Sequence, residues 1–179
     1  MKPRQLIKDT AFRVFVRLFC EKDLEPFLAV VRQSRFLHTP WVKPPGTVDG
    51  FHIFLDTSDT PGCRRFLVLH RGDGGLVGAY NLTHIIRGSF QSAFLGYYGF
   101  VLHTGKGLMK EGLLLVLQHA FERMKLHRVE ANIQPANEAS RALVSGCGFT
   151  CEGLSPRYLK IGGRWRDHER WAILREDFG

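Results

Sequence analysis

The stretch Gly96-Tyr97-Tyr98-Gly99-Phe100-Val101-Leu102-His103-Thr104-Gly105-Lys106-Gly107-Leu108-Met109 changes its hydrophobic period part-way along, and that change decides the fold. As far as Leu102 the run is apolar and aromatic, as in a buried strand. From Leu108 the residues Leu113, Leu114, Leu115, Leu117, Phe121 and Met124 fit a helix that ends near Leu126. Between the two, Gly105 and Gly107 free the backbone to aim N–H groups at one point, and a helix start adds about half a positive charge there. Such a junction suits an oxyanion, a pyrophosphate above all. It is neither GxxxxGK[ST] nor GxGxxG, because Gly107 is followed by Leu108, Met109 and Lys110. A tight structural turn is the competing reading of the same glycines.

Upstream, Phe12 to Leu18 alternates as a strand does, and Leu24, Phe27, Leu28 and Val31 share one face of a short helix. Phe36 to Gly62 carries Pro40, Pro44, Pro45, Gly46, Gly50 and Pro61 and reads as loop, with a brief element around Phe51 to Leu55. Arg65 to His70 and Leu76 to Ile86 flank the turn Gly72-Asp73-Gly74-Gly75 as a hairpin, and a further strand runs from Ser92 to Leu102. Downstream, Arg128 to Ile133 is a strand, Asn137 opens a helix to about Ser145, and two strands from Phe149 onward join near Gly162-Gly163. This order predicts one α/β (α+β) domain over residues 1–179. Its sheet is mixed, mostly antiparallel and flanked by helices, neither Rossmann nor barrel.

The 179 residues are 44% hydrophobic and 23% charged, a globular composition that excludes disordered, collagenous and coiled-coil classes. Lys and Arg outnumber Asp and Glu by 25 to 17, a formal net charge of +8 that favours an anionic partner without choosing one. Cys20, Cys63, Cys147 and Cys151 form no CxxC pair, so a zinc site is not expected and the thiols read as reduced, buried and cytosolic. Lys2, Arg4, Lys8, Asp9, Arg13 and Arg17 interrupt any leader-like apolar run, and no stretch approaches the ~18 uncharged residues of a membrane span. The expectation is a cytoplasmic protein with no membrane contact.

After the glycine turn come, in order, His127-Arg128-Val129-Glu130-Ala131-Asn132, Asn137-Glu138-Ala139-Ser140-Arg141-Ala142-Leu143, Gly148-Phe149 and Glu152-Gly153. The ordered set resembles the GNAT superfamily of acetyl-CoA-dependent N-acetyltransferases. More narrowly, Arg87-Gly88-Ser89-Phe90, Leu95-Gly96-Tyr97, Gly105-Lys106-Gly107-Leu108-Met109 and Trp165-Arg166-Asp167-His168 look like the bacterial ribosomal-protein alanine N-acetyltransferases. The resemblance covers roughly Phe66 to Leu174. It implies a sheet whose two central parallel strands splay apart to admit acetyl-CoA. Phe100, Val101 and Leu102 would then pair with the pantetheine arm, Thr104, Gly105, Lys106, Gly107, Leu108 and Met109 would hold the pyrophosphate, and Asn132 and Asn137 would meet the arm. Ser140 would sit near the CoA sulfur and protonate the thiolate. The family loop usually opens with Gln or Arg, and here that position is Leu102, which weakens the motif more than the backbone chemistry.

Acetyl transfer requires a neutral amine, stabilisation of the oxyanion and a proton for the leaving thiolate. No nucleophile motif is present, so direct attack is expected, with Cys147 read as a small buried residue. The carboxylate that many relatives carry before the Gly-Tyr is replaced by Phe94 or Leu95. Glu130, Asp167, His168 and His84 are the candidate bases, each with a structural reading beside it. A protein α-amine of pKa ~7.8 needs about 1 kcal/mol to deprotonate at pH 7 and a lysine about 4.6 kcal/mol, so a weak base fits an N-terminal acceptor. Phe36, Trp41, Phe90, Tyr97, Tyr98, Tyr158 and Trp165 can line an acceptor cleft or fill core, and Arg166 and Asp167 can orient a peptide or close a salt bridge. Expected partners are acetyl-CoA and a protein N-terminus, a ribosomal protein among them, with no metal. A small amine or antibiotic is the alternative acceptor. A non-catalytic module binding RNA or ribosomes is the other reading, disfavoured because no RNA-recognition motif is present.

Overall fold

The structure, a computed structural model, describes residues 6–7 and 9–179; Lys2, Arg4 and Lys8 of the leader argument lie outside them. Strands β1 (Leu6–Ile7) and β2 (Val14–Leu18) are followed by α1 (Leu24–Gln33), α2 (Arg35–His38) and α3 (Val48–Asp56). Next come β3 (Asp59–Thr60), β4 (Cys63–His70), β5 (Leu76–Ile86) and β6 (Ser92–Gly99). Then follow α4 (Leu108–Gln118), β7 (Arg128–Ile133), α5 (Glu138–Ser145), β8 (Thr150–Ile161) and β9 (Arg164–Leu174). Among the described residues the strands form one nine-stranded sheet in the order β1-β2-β4-β5-β6-β7-β9-β8, with β3 on β4. The pair β6–β7 is parallel and the other pairs are antiparallel. No helix among the described residues is long and apolar enough to cross a membrane.

Strands β4 and β5 are buried on both faces, which is why Phe66-Leu67-Val68-Leu69 reads as an unbroken apolar run rather than an alternation. On one face Phe66, Val68, Tyr80 and Leu82 pack against Leu113, Val116 and Leu117 of α4. On the other, Leu67, Leu69, Ala79, Tyr98 and Phe100 pack with Phe19, Phe27, Val31 and Phe51 from the α1–α3 side. Phe27 is the hub of that layer, with ring centroids 5.6 Å from Phe19, 5.4 Å from Phe51 and 5.9 Å from Phe100.

Three expectations need correction. The brief element near Phe51 is a full helix, because the Thr47 hydroxyl caps it by accepting from Gly50 N–H at 3.1 Å, and Phe51 is fully buried. The strand from Ser92 stops at Gly99, after which Val101–His103 forms a 3-10 turn. The cysteines are not uniformly buried: Cys63 and Cys147 are, Cys20 is half-buried and Cys151 is exposed.

Helix α4 sits close to the sheet because the contact points carry no side chains. A Cβ on Gly112 would lie 2.9 Å from Val68 Cγ1, and one on Gly78 would strike Met109 Sδ and approach the Tyr98 carbonyl oxygen to 2.6 Å. The buried Tyr80 hydroxyl donates to the Met109 carbonyl at 2.7 Å and ties the first turn of α4 to β5. Gly78→Ala is therefore expected to destabilise the protein by about 1–3 kcal/mol through overpacking against backbone, measured by urea unfolding. An unchanged midpoint would show that the approach is looser than these distances.

Candidate active site

Strands β6 and β7 pair over only three residues, Ser92 with Arg128, Ala93 with Val129 and Phe94 with Glu130, and then part. Beyond that point β6 stays bonded to β5 and β7 stays bonded to β9. Two backbone edges therefore face each other without a partner, Leu95–Gly99 on one side and Ala131–Ile133 on the other. The Phe100 N–H donates to Val77 O on β5 at 2.8 Å, so alternation turns the amide groups of Leu95, Tyr97 and Gly99 toward the β7 side. Gly99 O is already taken by His38 Nε2 at 2.9 Å. An extended ligand bearing amides can satisfy the remaining groups as an added strand does. Asn132 Oδ1, on β7 past the point of divergence, is buried with no hydrogen-bond partner.

This moves the expected pairing segment. The Val101 N–H donates to Ser34 Oγ at 3.0 Å, Phe100 O accepts from His103 N at 3.3 Å, and the Phe100 ring is fully buried in the α1–α3 layer. Phe100 and Val101 are thus committed elsewhere, Leu102 is an exposed residue of the 3-10 turn, and the free edge is Leu95–Gly99.

The turn at Thr104–Met109 opens at the end of β6. Gly105 and Gly107 take φ of 72° and 75°, the left-handed region that side chains disfavour. Gly107 is the N-cap of α4 and no side chain caps that helix. Among the described residues no acceptor serves the N–H groups of Gly105, Lys106, Gly107, Leu108 or Met109. Five orphan donors at a helix N-terminus make an anion cradle. Leu108 is buried and contributes backbone alone, and Lys106 folds back so that its Nζ donates to Leu102 O at 3.2 Å. Arg13 braces the turn from β2's end. It donates to Lys106 O at 2.9 Å and through Nε to Glu111 at 2.7 Å, while its own N–H reaches the same carboxylate at 2.7 Å. Nothing in the sequence near Arg13 marks that role, because its partners lie more than ninety positions away.

Across the gap, Asn137 Oδ1 accepts from Ser140 N at 3.2 Å, the cap expected from its position. The Ser140 hydroxyl is hydrogen-bonded to the Tyr97 hydroxyl, which also lies 3.3 Å from Ser140 O. A β6 side chain and an α5 side chain therefore meet at the divergence. Burial raises the Tyr97 phenol well above its ordinary value, so it stays a proton donor at neutral pH. The sequence offered Tyr97 only as one aromatic among several.

The four candidate bases are dispersed. Glu130 accepts from Arg128 Nε at 2.9 Å, while Arg128 also grips Glu152 at 2.8 Å. Asp167 accepts from the Arg157 N–H at 2.7 Å and pins the β8–β9 hairpin instead of pairing with Arg166. His168 is 3% exposed, with Nδ1 3.0 Å from Arg166 O. His84 is exposed, with φ 48° on β5. A buried His38 was not expected: burial lowers its pKa and keeps it neutral, and it stands against Gly99 and the buried Tyr98 ring. Of the other aromatics, Phe36, Phe90 and Trp165 are largely exposed. A cleft of about 530 Å³ opens on the α1 side between Arg17, Asp23, Gln33, Gly75 and Leu102, away from Ser140.

The family model described as an acetyltransferase (GNAT) domain matches residues 13–150. The chain belongs to the GNAT acetyltransferase family. Among GNAT relatives, it is 42% identical to the probable N-acetyltransferase YjcK of Bacillus subtilis, over 63% of this chain and 62% of that protein. It is 28% identical to the ribosomal protein uS5-alanine N-acetyltransferase of Escherichia coli, over 96% of this chain and 93% of that one. It superposes on the GNAT structure of Mycobacterium smegmatis RimJ in complex with CoA-disulfide with a TM-score of 0.85, at 28% identity over 97% of this chain and 87% of that one.

Burial pushes the Cys147 thiol up to about 11, so it is neither ionised nor accessible at neutral pH. Iodoacetamide treatment of the native protein followed by peptide mapping is expected to label Cys151, with Cys63 and Cys147 labelled only after unfolding. Rapid native labelling of Cys147 would reopen a covalent acyl-cysteine route.

Proposed function

We propose that the protein moves an acetyl group from acetyl-CoA to the N-terminal α-amine of a protein, a ribosomal protein foremost, in the cytoplasm and by direct attack within a ternary complex. The observation that carries the reading is the paired Tyr97 and Ser140 hydroxyls at the divergence of β6 and β7. They lie beside the unpaired Leu95–Gly99 edge, which continues toward the anion cradle at Gly105–Met109. The unpaired edges and the orphaned Asn132 Oδ1 fit the amide-bearing pantetheine arm, and the orphan N–H groups fit the diphosphate. Bound there, acetyl-CoA supplies an activated carbonyl and a thiolate leaving group. The chain's own residues position that thioester, and the backbone donors of β6 face the carbonyl oxygen on which charge develops. As the C–N bond forms and the C–S bond breaks, Ser140 gives its proton to the sulfur, the Tyr97 hydroxyl replaces it, and the proton shed by the amine returns through water to Tyr97, which ends the cycle un-ionised as it began. The attacking amine enters neutral and its surplus proton passes to water. An α-amine tolerates that route where a lysine does not.

The relatives named as ribosomal protein uS5-alanine N-acetyltransferases match along 96% of this chain and support the acceptor class. The formal charge of +8 steers the protein toward polyanionic ribosomal particles and opposes a polycationic acceptor such as spermidine. Mixing the protein with acetyl-CoA and peptides beginning Ala or Ser is expected to release thiol and add one acetyl group at the α-amine. Thiol release with spermidine alone would shift the acceptor to a small amine, and no release with either would overturn the assignment. Ser140→Ala is expected to lower kcat by about 10²-fold with the acetyl-CoA KM little changed, and Tyr97→Phe by less.

A further inference from the structure

Three polar side chains from segments far apart in sequence meet at the root of the glycine turn. His70 ends β4, Asp73 lies in the turn to β5, and His103 directly precedes Thr104. One donor atom from each lies within 4.8 Å of the other two. Asp73 Oδ1 is 2.9 Å from His70 Nδ1, Asp73 Oδ2 is 3.9 Å from His103 Nε2, and the two imidazole rings are 5.2 Å apart.

The contacts within the β4–β5 turn account for only part of this cluster. Asp73 Oδ1 accepts from the Gly75 N–H at 2.8 Å, an ordinary turn bond. His103 is different, because it is 7% exposed, its Nδ1 is buried without a partner, and its Nε2 stands beyond hydrogen-bond reach of Asp73. The nitrogen that faces Asp73 and Gly75 is Nε2, and the orphaned Nδ1 is the other atom of the ring. The space between the donors is kept open by the lack of a side chain at Gly75. A Cβ there would lie 2.6 Å from His103 Nε2 and 3.0 Å from Asp73 Oδ1.

We propose that His70, Asp73 and His103 form a binding site for a divalent transition-metal ion of the zinc type, which clamps the β4–β5 turn to the root of the Thr104–Met109 turn. Two imidazoles and one carboxylate match zinc, cobalt and nickel and disfavour magnesium and calcium, which take all-oxygen sets. Tetrahedral bonds of ~2.0–2.2 Å separate neighbouring donors by roughly 3.4 Å, so the wider spacings need to close by little more than about 1 Å while the His70–Asp73 contact opens slightly. Asp73 is at the exposed tip of its turn, its side chain 59% exposed, and is free to make that movement. Three protein ligands leave a fourth position for water. The absence of a metal was expected from cysteine spacing alone, and such spacing is blind to a set assembled from a hairpin tip and a strand exit.

An ion there fixes His103 and hence the backbone that leads into the anion cradle. A gain in CoA affinity on metal loading follows only if the Thr104–Met109 turn binds the diphosphate as proposed above, whereas ion binding itself does not depend on that reading. The decisive experiment uses the tag-free full-length protein, stripped with chelator and free of CoA. Calorimetric titration with Zn²⁺ is expected to give one site per chain, and Co²⁺ is expected to develop the strong visible absorption of a tetrahedral complex. His70→Ala and Asp73→Asn, both at the hairpin end and not in the buried layer, should each weaken binding by more than ~tenfold, the loss that even an outer-shell change produces. Zn²⁺ should also raise the melting temperature of the wild-type protein and not that of the variants. No saturable uptake, or uptake equally tight in both variants, overturns the site.

Discussion

An unpaired backbone edge inside a sheet is the constraint on which the rest of this structure depends. Every amide and carbonyl removed from water needs a partner, and β6 and β7 surrender theirs after three residues. The sheet tolerates the break because each strand is held from its outer side, β6 by seven registered pairs with β5 and β7 by six with β9. The gap is thus a fixed opening with two fixed rims, and a ligand with amides at strand-like spacing restores what the break removed.

The remaining architecture keeps that opening in register with the turn that follows it. Helix α4 must start where β6 ends and must lie flat on the sheet, so its contact points are Gly78, Gly112 and the Tyr80 hydroxyl. Arg13, directly before β2, holds Glu111 and the Lys106 carbonyl together, and the N–H groups of the turn are left without protein acceptors among the described residues. On the opposite face the Phe27 cluster and the Ser34 and His38 contacts anchor Gly99, Phe100 and Val101, so the strand exit is set from both sides. The geometry belongs to backbone and packing, which is why Leu102 in place of the family's usual Gln or Arg leaves the cradle intact.

Much of this was legible in the sequence. The change of period at Gly105-Lys106-Gly107, the Asn137 cap and the hairpin turns are local signals, written in residues within a few positions of one another, and the structure places them as read. The misses are non-local or depend on side-chain competition. Helix α3 hid behind Pro44, Pro45, Gly46 and Gly50, whose helix-breaking character outweighed a Thr47 cap. The end of β6 was set three residues too late because Phe100, Val101 and Leu102 are apolar, yet Ser34, 67 positions upstream, takes the Val101 N–H. The Tyr97–Ser140 pair spans 43 positions and the Arg13–Glu111 pair 98, distances at which spacing carries no information. Glu130, Asp167, His168 and His84 were candidates by residue type alone, and the structure shows the first three engaged in local bonds and the last on the surface.

The account therefore stands on one claim, that the opening between β6 and β7 and the turn beyond it hold a single extended ligand through backbone donors. Amide hydrogen exchange with and without CoA reads those donors directly. The account predicts that CoA slows exchange at Leu95 and Tyr97, at Asn132 and at Gly105–Met109, with the β8–β9 hairpin unchanged. Binding of CoA that leaves these amides exchanging at their free rates would contradict it.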